Sequence, residues 1–335
     1  MIFPESFCDP NVTRLKLIQQ LINTTMNTWK DLKLLTIADL TPAQFNELVD
    51  LGIDMKKNPS KYADSCRGKT VLAIFAKPSL RTHISQEIAC AKLGATCIYY
   101  NLSGSPLGVK ESIMDTSKVV SQMADIVTAR LKSRQEIREL AKYSTIPCFN
   151  SLDDFAHPLQ MLADFMTIKE VFGKFDGLKM TFLGDCNNNV TYDLARACAL
   201  ANMELVMGCP AGAEFEPEPE VIEELNKMGC KFSICHDAKE ACKGANIVYT
   251  DSFSSYHLDP EAIKIRKEKL MAFRADKECM NMAAPGAKFM NCLPIVANQE
   301  ATEDVCYDPE TSVIYQEAGN RQWSVQAIFY KCFTA

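Results

Sequence analysis

An α/β protein of two doubly wound parallel-sheet domains, joined by long helices, is the architecture this sequence predicts, and three observations predict it. Short apolar runs alternate with longer segments of helical period along most of the chain. That alternation gives parallel strands covered by helices on both faces. At 335 residues the chain exceeds one ordinary core and divides into two. Chemically able side chains recur at the C-terminal ends of the apolar runs, the sheet edge where open α/β folds bind ligands.

The elements follow in order. A helix is expected over 12–27. A β-prone run at 71–76 leads through a Pro78-Ser79 turn into helical period over 83–92. Strands at 96–100, 125–129 and 146–150 then alternate with helices at 112–123 and 134–142. A boundary near 150–155 precedes a long helix over 158–172 that joins the two halves. Beyond it lie strands at 179–183, 204–208, 231–234, 246–250 and 288–292, with helices at 190–201, 219–228 and 239–243. A last helix, 321–333, is expected to cross back to the first half. The domains are therefore drawn as 1–150, with 321–335 packing back onto it, and 151–320. No short repeat and no low-complexity segment interrupts the pattern.

Composition narrows the function. The chain is 47% hydrophobic and 23% charged, with a net charge of −6. An acidic protein of this kind offers no basic face for nucleic acid, so any anion site must be a local positive pocket. No apolar run is long enough to span a bilayer. The N-terminal residues have neither a signal-peptide core nor an Arg-rich amphipathic pattern, which points to the cytoplasm. Fifteen scattered cysteines without a single C-x-x-C pair fit neither zinc-ribbon nor redox-motif spacing, and four histidines make a His-rich metal site unexpected. The thiols read as small buried hydrophobes in a reducing compartment, without structural disulfides. No metal and no organic cofactor is expected.

The segment Phe75-Ala76-Lys77-Pro78-Ser79-Leu80-Arg81-Thr82-His83-Ile84-Ser85 is the most informative. A turn between a strand and a helix N-terminus gathers free backbone N–H groups, two hydroxyls and a guanidinium around one point. The N–H groups lack intrahelical partners and the helix dipole favours negative charge there. Arg81 adds a fork of donors matched to phosphate oxygens. A phosphate or carboxylate beside Ser79, Arg81 and Thr82 is therefore expected, against the plainer reading of Ser79 as a helix cap.

Further motifs fall in a fixed order: Glu111-Ser112-Ile113-Met114-Asp115-Thr116, the strand 125–130 ending in Arg130, and Phe155-Ala156-His157-Pro158-Leu159-Gln160-Met161-Leu162-Ala163-Asp164. Gly184-Asp185-Cys186-Asn187-Asn188-Asn189, Asp251-Ser252-Phe253-Ser254-Ser255, Asn291-Cys292-Leu293-Pro294 and Glu317-Ala318-Gly319-Asn320-Arg321 complete the series. Together these segments resemble the transcarbamylase family, from about residue 34 to 329. The first matches its Ser-Thr-Arg-Thr-Arg phosphate loop, and 157–164 its His-Pro-x-Gln-x-Leu-x-Asp signature. The Asp251 loop and Cys-Leu-Pro are similar to the ornithine-specific branch rather than the aspartate-specific one.

The resemblance implies carbamoyl transfer from carbamoyl phosphate to the δ-amine of L-ornithine, giving citrulline and phosphate, or the reverse, at an active site in the cleft between the domains. It places Ser79, Leu80, Arg81, Thr82, Arg130, His157 and Gln160 on carbamoyl phosphate, with Arg130 and His157 at the carbamoyl oxygen and Gln160 at its NH2. It places Asn188, Asp251, Ser255, Tyr256, Cys292 and Leu293 on ornithine, with Asp251 at the α-ammonium and Cys292 near the δ-amine. Arg130, His157, Cys292 and Arg321 form the expected catalytic set. Asp164 is expected to orient a neighbour. A homotrimer is implied, each site completed by a neighbouring subunit's loop within 101–111.

Taken singly, each residue has a plainer reading: His157 as a helix-start histidine, Arg130 as a surface charge, Asp251 as an N-cap, Cys292 as an inert thiol. The joint pattern outweighs these. Three departures leave other amines open, putrescine or an N-acylated ornithine, as well as a non-catalytic paralogue. His83 replaces the second arginine of the phosphate loop. If that position touches phosphate, a charge-assisted hydrogen bond worth roughly 1.5–3 kcal/mol is lost; if it supports the loop, nothing is. Asn291 replaces the histidine before Cys292, and Tyr256-His257 replace Met-Gly. A nicotinamide dehydrogenase is rejected, because Gly184-Asp185-Cys186-Asn187 is no Gly-x-Gly-x-x-Gly turn.

Overall fold

The computed structural model describes residues 28–102, 107–253 and 260–335. The helix expected over 12–27 lies outside them. In chain order the first half runs β1 (Lys33–Leu34), α1 (Pro42–Lys57), β2 (Thr70–Phe75), α2 (Leu80–Leu93), β3 (Thr96–Asn101), α3 (Ile113–Met123), β4 (Ile126–Arg130), α4 (Arg134–Tyr143) and β5 (Cys148–Leu152). The second runs α5 (Pro158–Phe172), β6 (Lys179–Leu183), α6 (Asn189–Leu200), β7 (Glu204–Gly208), α7 (Pro219–Lys227), β8 (Lys231–Cys235), α8 (Ala238–Cys242), β9 (Ile247–Thr250), α9 (Pro260–Leu270), α10 (Lys277–Met282), β10 (Lys288–Asn291), α11 (Glu303–Cys306) and α12 (Ile314–Thr334).

Two five-stranded sheets result, ordered β1-β5-β4-β2-β3 and β10-β9-β6-β7-β8, with every pairing parallel. All nine expected strands are present. The unforeseen β1 has only 2 residues, too few to carry a pattern. The helix α1 was also unforeseen, although Thr41 caps it, Pro42 opens it and Gln44 closes a capping box, a readable start signal. The helices α9, α10 and α11 were unforeseen as well.

Two boundary shifts bear on the site. The helix α2 begins at Leu80 rather than 83, so Arg81 and Thr82 lie in its first turn. The helix α12 begins at Ile314 rather than 321, because its buried face already includes Ile314 and Glu317.

The helices α5 and α12 hold the halves together. On α5 every residue from Pro158 to Ile168 is buried, since α1, α6 and α12 surround it. Gly52 lets α1 approach it: a Cβ there would meet Met166 Sδ at 3.1 Å. The helix α12 carries Phe329 onto Phe149 of β5, rings stacked at 6.1 Å. Full burial of each such ring contributes about 1.5–3 kcal/mol. The described cysteines are all free thiols. No described helix is long and apolar enough to cross a membrane.

Candidate active site

The C-terminal ends of β2, β4 and β5 in one sheet face those of β6, β9 and β10 in the other across a cavity of about 500 Å³. Parallel strands dictate this, since the loop after every strand leaves by the same edge. His157, the N-cap of α5, with Gln160 of α5 and Arg321 of α12, closes its floor.

On the first-sheet side, Ser79 precedes α2 in an extended conformation, but its hydroxyl caps no helix N–H. It donates instead to Thr82 Oγ1 at 3.0 Å. Arg81 reaches across the cleft, its Nη2 donating to the Leu293 carbonyl at 2.7 Å. Leu80, whose side chain is 71% exposed, and Arg130, at the end of β4, also line the cavity. Lys77 and Lys132 add charge there. Burial, with Arg130 and Lys132 nearby, lowers the Lys77 pKa. This is the local positive pocket that an acidic chain needs in order to bind an anion.

His157 opens α5, its backbone N–H held by Asp193 Oδ2 at 2.8 Å. Its Nδ1 is buried without a hydrogen-bond partner. Burial, then Arg321, Arg130 and Arg81, push its pKa well below the usual value, so the ring is neutral. Arg321 donates through Nη1 to Gln160 Oε1 and through Nη2 to Thr82 Oγ1 at 3.2 Å. Burial brings its pKa down to about 10, with Arg130 and Arg81 acting in the same direction.

On the second-sheet side, Asn188 caps α6, accepting from the Thr191 N–H at 2.8 Å, while its Nδ2 donates to the Asp185 carbonyl. Gly184 has φ +135 and a Cβ there would lie 3.0 Å from the Phe253 ring, so a side chain before Asp185 would be strained and crowded. Asp251 follows β9 and accepts from Cys292 Sγ at 3.2 Å. Burial pushes the Asp251 carboxyl up. Burial, then the Asp251 charge, push the Cys292 thiol well up, so it stays protonated.

The cavity thus brings together Ser79, Leu80, Arg81, Thr82, Arg130, His157, Gln160, Asn188, Asp251, Cys292, Leu293 and Arg321. Ser255 and Tyr256 lie outside the described residues, as do 103–106 of the loop at 101–111. Two departures resolve. His83 faces away from the cavity, stacked on Tyr99 at 3.9 Å with Nε2 2.9 Å from Glu87 Oε1. Asn291 donates to Thr250 Oγ1 at 2.9 Å and accepts from the Leu293 N–H at 2.7 Å, holding the turn that carries Cys292.

Sequence reasoning did not single out Asp185 or Arg266 as site groups. Asp185 lines the cavity and pairs with Arg266 of α9. Its Gly-Asp context was a signal, whereas nothing marked Arg266. Among the described residues no cluster of three His, Cys, Asp or Glu side chains is placed to hold a metal.

Two family models match the chain: "Aspartate/ornithine carbamoyltransferase, carbamoyl-P binding domain" over residues 32–170, and the Asp/Orn binding domain of the same family over 176–332. A catabolic ornithine carbamoyltransferase of Thermoplasma volcanium is 38% identical over 85% of this chain and 93% of its own. The chloroplastic ornithine carbamoyltransferase of Pisum sativum is 36% identical over 87% of this chain and 78% of its own. Among solved structures, ornithine transcarbamoylase from Giardia lamblia superposes with a TM-score of 0.82 at 43% identity, over 90% of this chain and 97% of that one.

Proposed function

The chain belongs to the aspartate/ornithine carbamoyltransferase family, and from that premise we propose how its cleft transfers the carbamoyl group of carbamoyl phosphate to the δ-amine of L-ornithine, giving citrulline and phosphate. The observation that carries this reading is the division of the cleft. Cations and two helix N-termini line one wall, and an Asp251–Cys292 pair lines the other.

The phosphate is assigned to the N-terminus of α2, held by Ser79, Arg81 and Thr82 with Leu80 beside them. Arg130, His157 and Arg321 surround the carbamoyl oxygen, where negative charge grows as the amine adds to the carbonyl carbon. A neutral His157 serves there as a hydrogen-bond donor. Gln160 Oε1 receives the carbamoyl NH2. On the other wall Asp251 pairs with the α-ammonium, while Asn188 and Leu293 frame the amino-acid chain and its amine. Ser255 and Tyr256 are assigned to the same substrate. The C–N bond forms, the C–O bond to phosphate breaks, and the departing phosphate takes the amine proton. Cys292, held as a thiol, acts through hydrogen bonding rather than as the base. Positioning both reactants in one closed cleft supplies much of the rate.

The carbamoyl-phosphate-binding domain is drawn as 1–150 with 321–335 packed back on it and the ornithine-binding domain as 151–320, with His157 and Gln160 of the second reaching the carbamoyl group from the cleft floor. A homotrimer is supported by the exposed apolar side chains of the first half: Leu80, Ile84, Ile98, Tyr100, Val109, Val119 and Met123. The free thiols support a reducing compartment, for which we propose the cytoplasm.

Turnover of carbamoyl phosphate with ornithine, N-acetylornithine, putrescine, lysine and aspartate tests the substrate. Citrulline from ornithine alone is expected; turnover with a different amine moves the specificity, and none overturns the reaction. Sedimentation equilibrium at three times the chain mass is expected, and a monomer overturns the trimer. Because His83 faces Tyr99 and Glu87, His83→Ala is expected to leave the KM for carbamoyl phosphate within about twofold, as surface changes usually do. A tenfold rise would put that position on the phosphate.

A further inference from the structure

Gln160 can receive an NH2 only with its amide oxygen toward the cleft, and the groups beneath it decide which end faces up. Its Nε2 donates to Asp164 Oδ1 at 2.7 Å and lies 3.2 Å from Glu317 Oε1. That uses both amide protons and leaves the oxygen to Arg321 Nη1, with a second lone pair to spare.

Asp164 and Glu317 are both 0% exposed, and the Gln160 amide nitrogen lies within hydrogen-bond reach of each. Tyr249 Oη lies 3.1 Å from Asp164 Oδ2 and 3.3 Å from Glu317 Oε1. The Asn291 N–H donates to Glu317 Oε2 at 3.1 Å. The other titratable groups facing the pair are Arg321 on α12 and Cys292 after β10, and the thiol is neutral. With Arg321 as the one guanidinium bonded to Gln160, two ionised carboxylates would leave a buried negative charge beneath the position where an oxyanion must form. One proton between them makes the cluster neutral. Burial pushes Asp164 up to about 7, and burial with Asp164 pushes Glu317 well up.

We infer that Asp164 and Glu317 share one proton and act as positioning residues, fixing the Gln160 amide with its oxygen toward the carbamoyl group. The inference rests on the reading of Gln160 given above. An asparagine at 164 can keep Oδ1 as acceptor for Gln160 and turn its NH2 to the Tyr249 hydroxyl, which then donates to Glu317. Asp164→Asn therefore imitates the one-proton state, while Asp164→Ala removes an anchor of the amide.

The test compares these two variants with the wild type. Asp164→Ala is expected to lose roughly tenfold in kcat/KM for carbamoyl phosphate, with the ornithine KM unchanged, and Asp164→Asn is expected to restore it to within about threefold. A folded Asp164→Ala with unaltered kinetics, or an Asp164→Asn as poor as the alanine variant, overturns the positioning role. Infrared spectra at pH 7 read the proton itself and need no turnover. A buried protonated-carboxyl band present in the wild type and absent from Asp164→Asn is expected. Identical bands, or none in the wild type, overturn the shared proton even if Asp164→Ala does not fold. A wild type without turnover on ornithine but with that band difference would overturn the substrate assignment and leave the shared proton standing.

Discussion

Replacing Arg81 with alanine is expected to lower carbamoyl phosphate affinity by roughly two to four orders of magnitude, the effect of losing two charge-assisted hydrogen bonds at about 1.5–3 kcal/mol each. Arg81 lies in the first turn of α2, between Ser79 and Thr82 in sequence, and its guanidinium fork suits two phosphate oxygens. The side chain is not part of a hydrophobic cluster, so the thermal midpoint should move little. Calorimetric titration with carbamoyl phosphate reads the change directly. An affinity within threefold of the wild type would mean that the anion sits elsewhere in the cleft, with Lys77, Arg130 and Lys132 as the alternative cations.

Asp251→Asn is expected to act on the other substrate. Removing one partner of a desolvated charge pair costs about 2–5 kcal/mol, so kcat/KM for ornithine should fall by thirtyfold or more while the KM for carbamoyl phosphate stays put. The hydrogen bond from Cys292 survives in this variant, because the asparagine oxygen still accepts it. The pH dependence carries the same signature. Burial raises the Asp251 pKa, and only the ionised carboxylate pairs with an ammonium, so in the wild type kcat/KM for ornithine falls as pH drops through that raised value. The asparagine variant should lose this acidic limb. Equal losses on both substrates would point to a disturbed cleft rather than a missing ion pair.

Much of the fold was readable because parallel strands buried on both faces are compact apolar runs, and the sequence spaces them with helical segments. Apart from α1, whose Thr41-Pro42 start signal was there to be read, what escaped had little local pattern. The strand β1 is defined only by its pairing with β5, and the short α10 and α11 have too few turns to show a period. The site was legible where a motif places several side chains on one turn, as at 79–82 and 157–164. Arg266 and the facing of His83 were not legible: the first pairs with a residue 81 positions away, and the second depends on a ring presented by β3. Asn291 shows the same limit from the other side. Its type looked like a loss, yet its amide spans Thr250 and Leu293 and fixes the turn.

The hydrogen bond from Arg81 to the Leu293 carbonyl joins the two walls of the cleft, so a carbonyl on one wall depends on a donor that the other wall would offer to an anion. An anion that takes the Arg81 fork leaves the carbonyl without its donor. A substrate amine arriving on that side is a donor that can replace it. Filling the first half-site therefore creates an acceptor for the second ligand, and by linkage the second tightens the first by the same factor. An amine arriving first is therefore expected to meet a carbonyl already occupied, and one arriving second a carbonyl that lacks a proton donor.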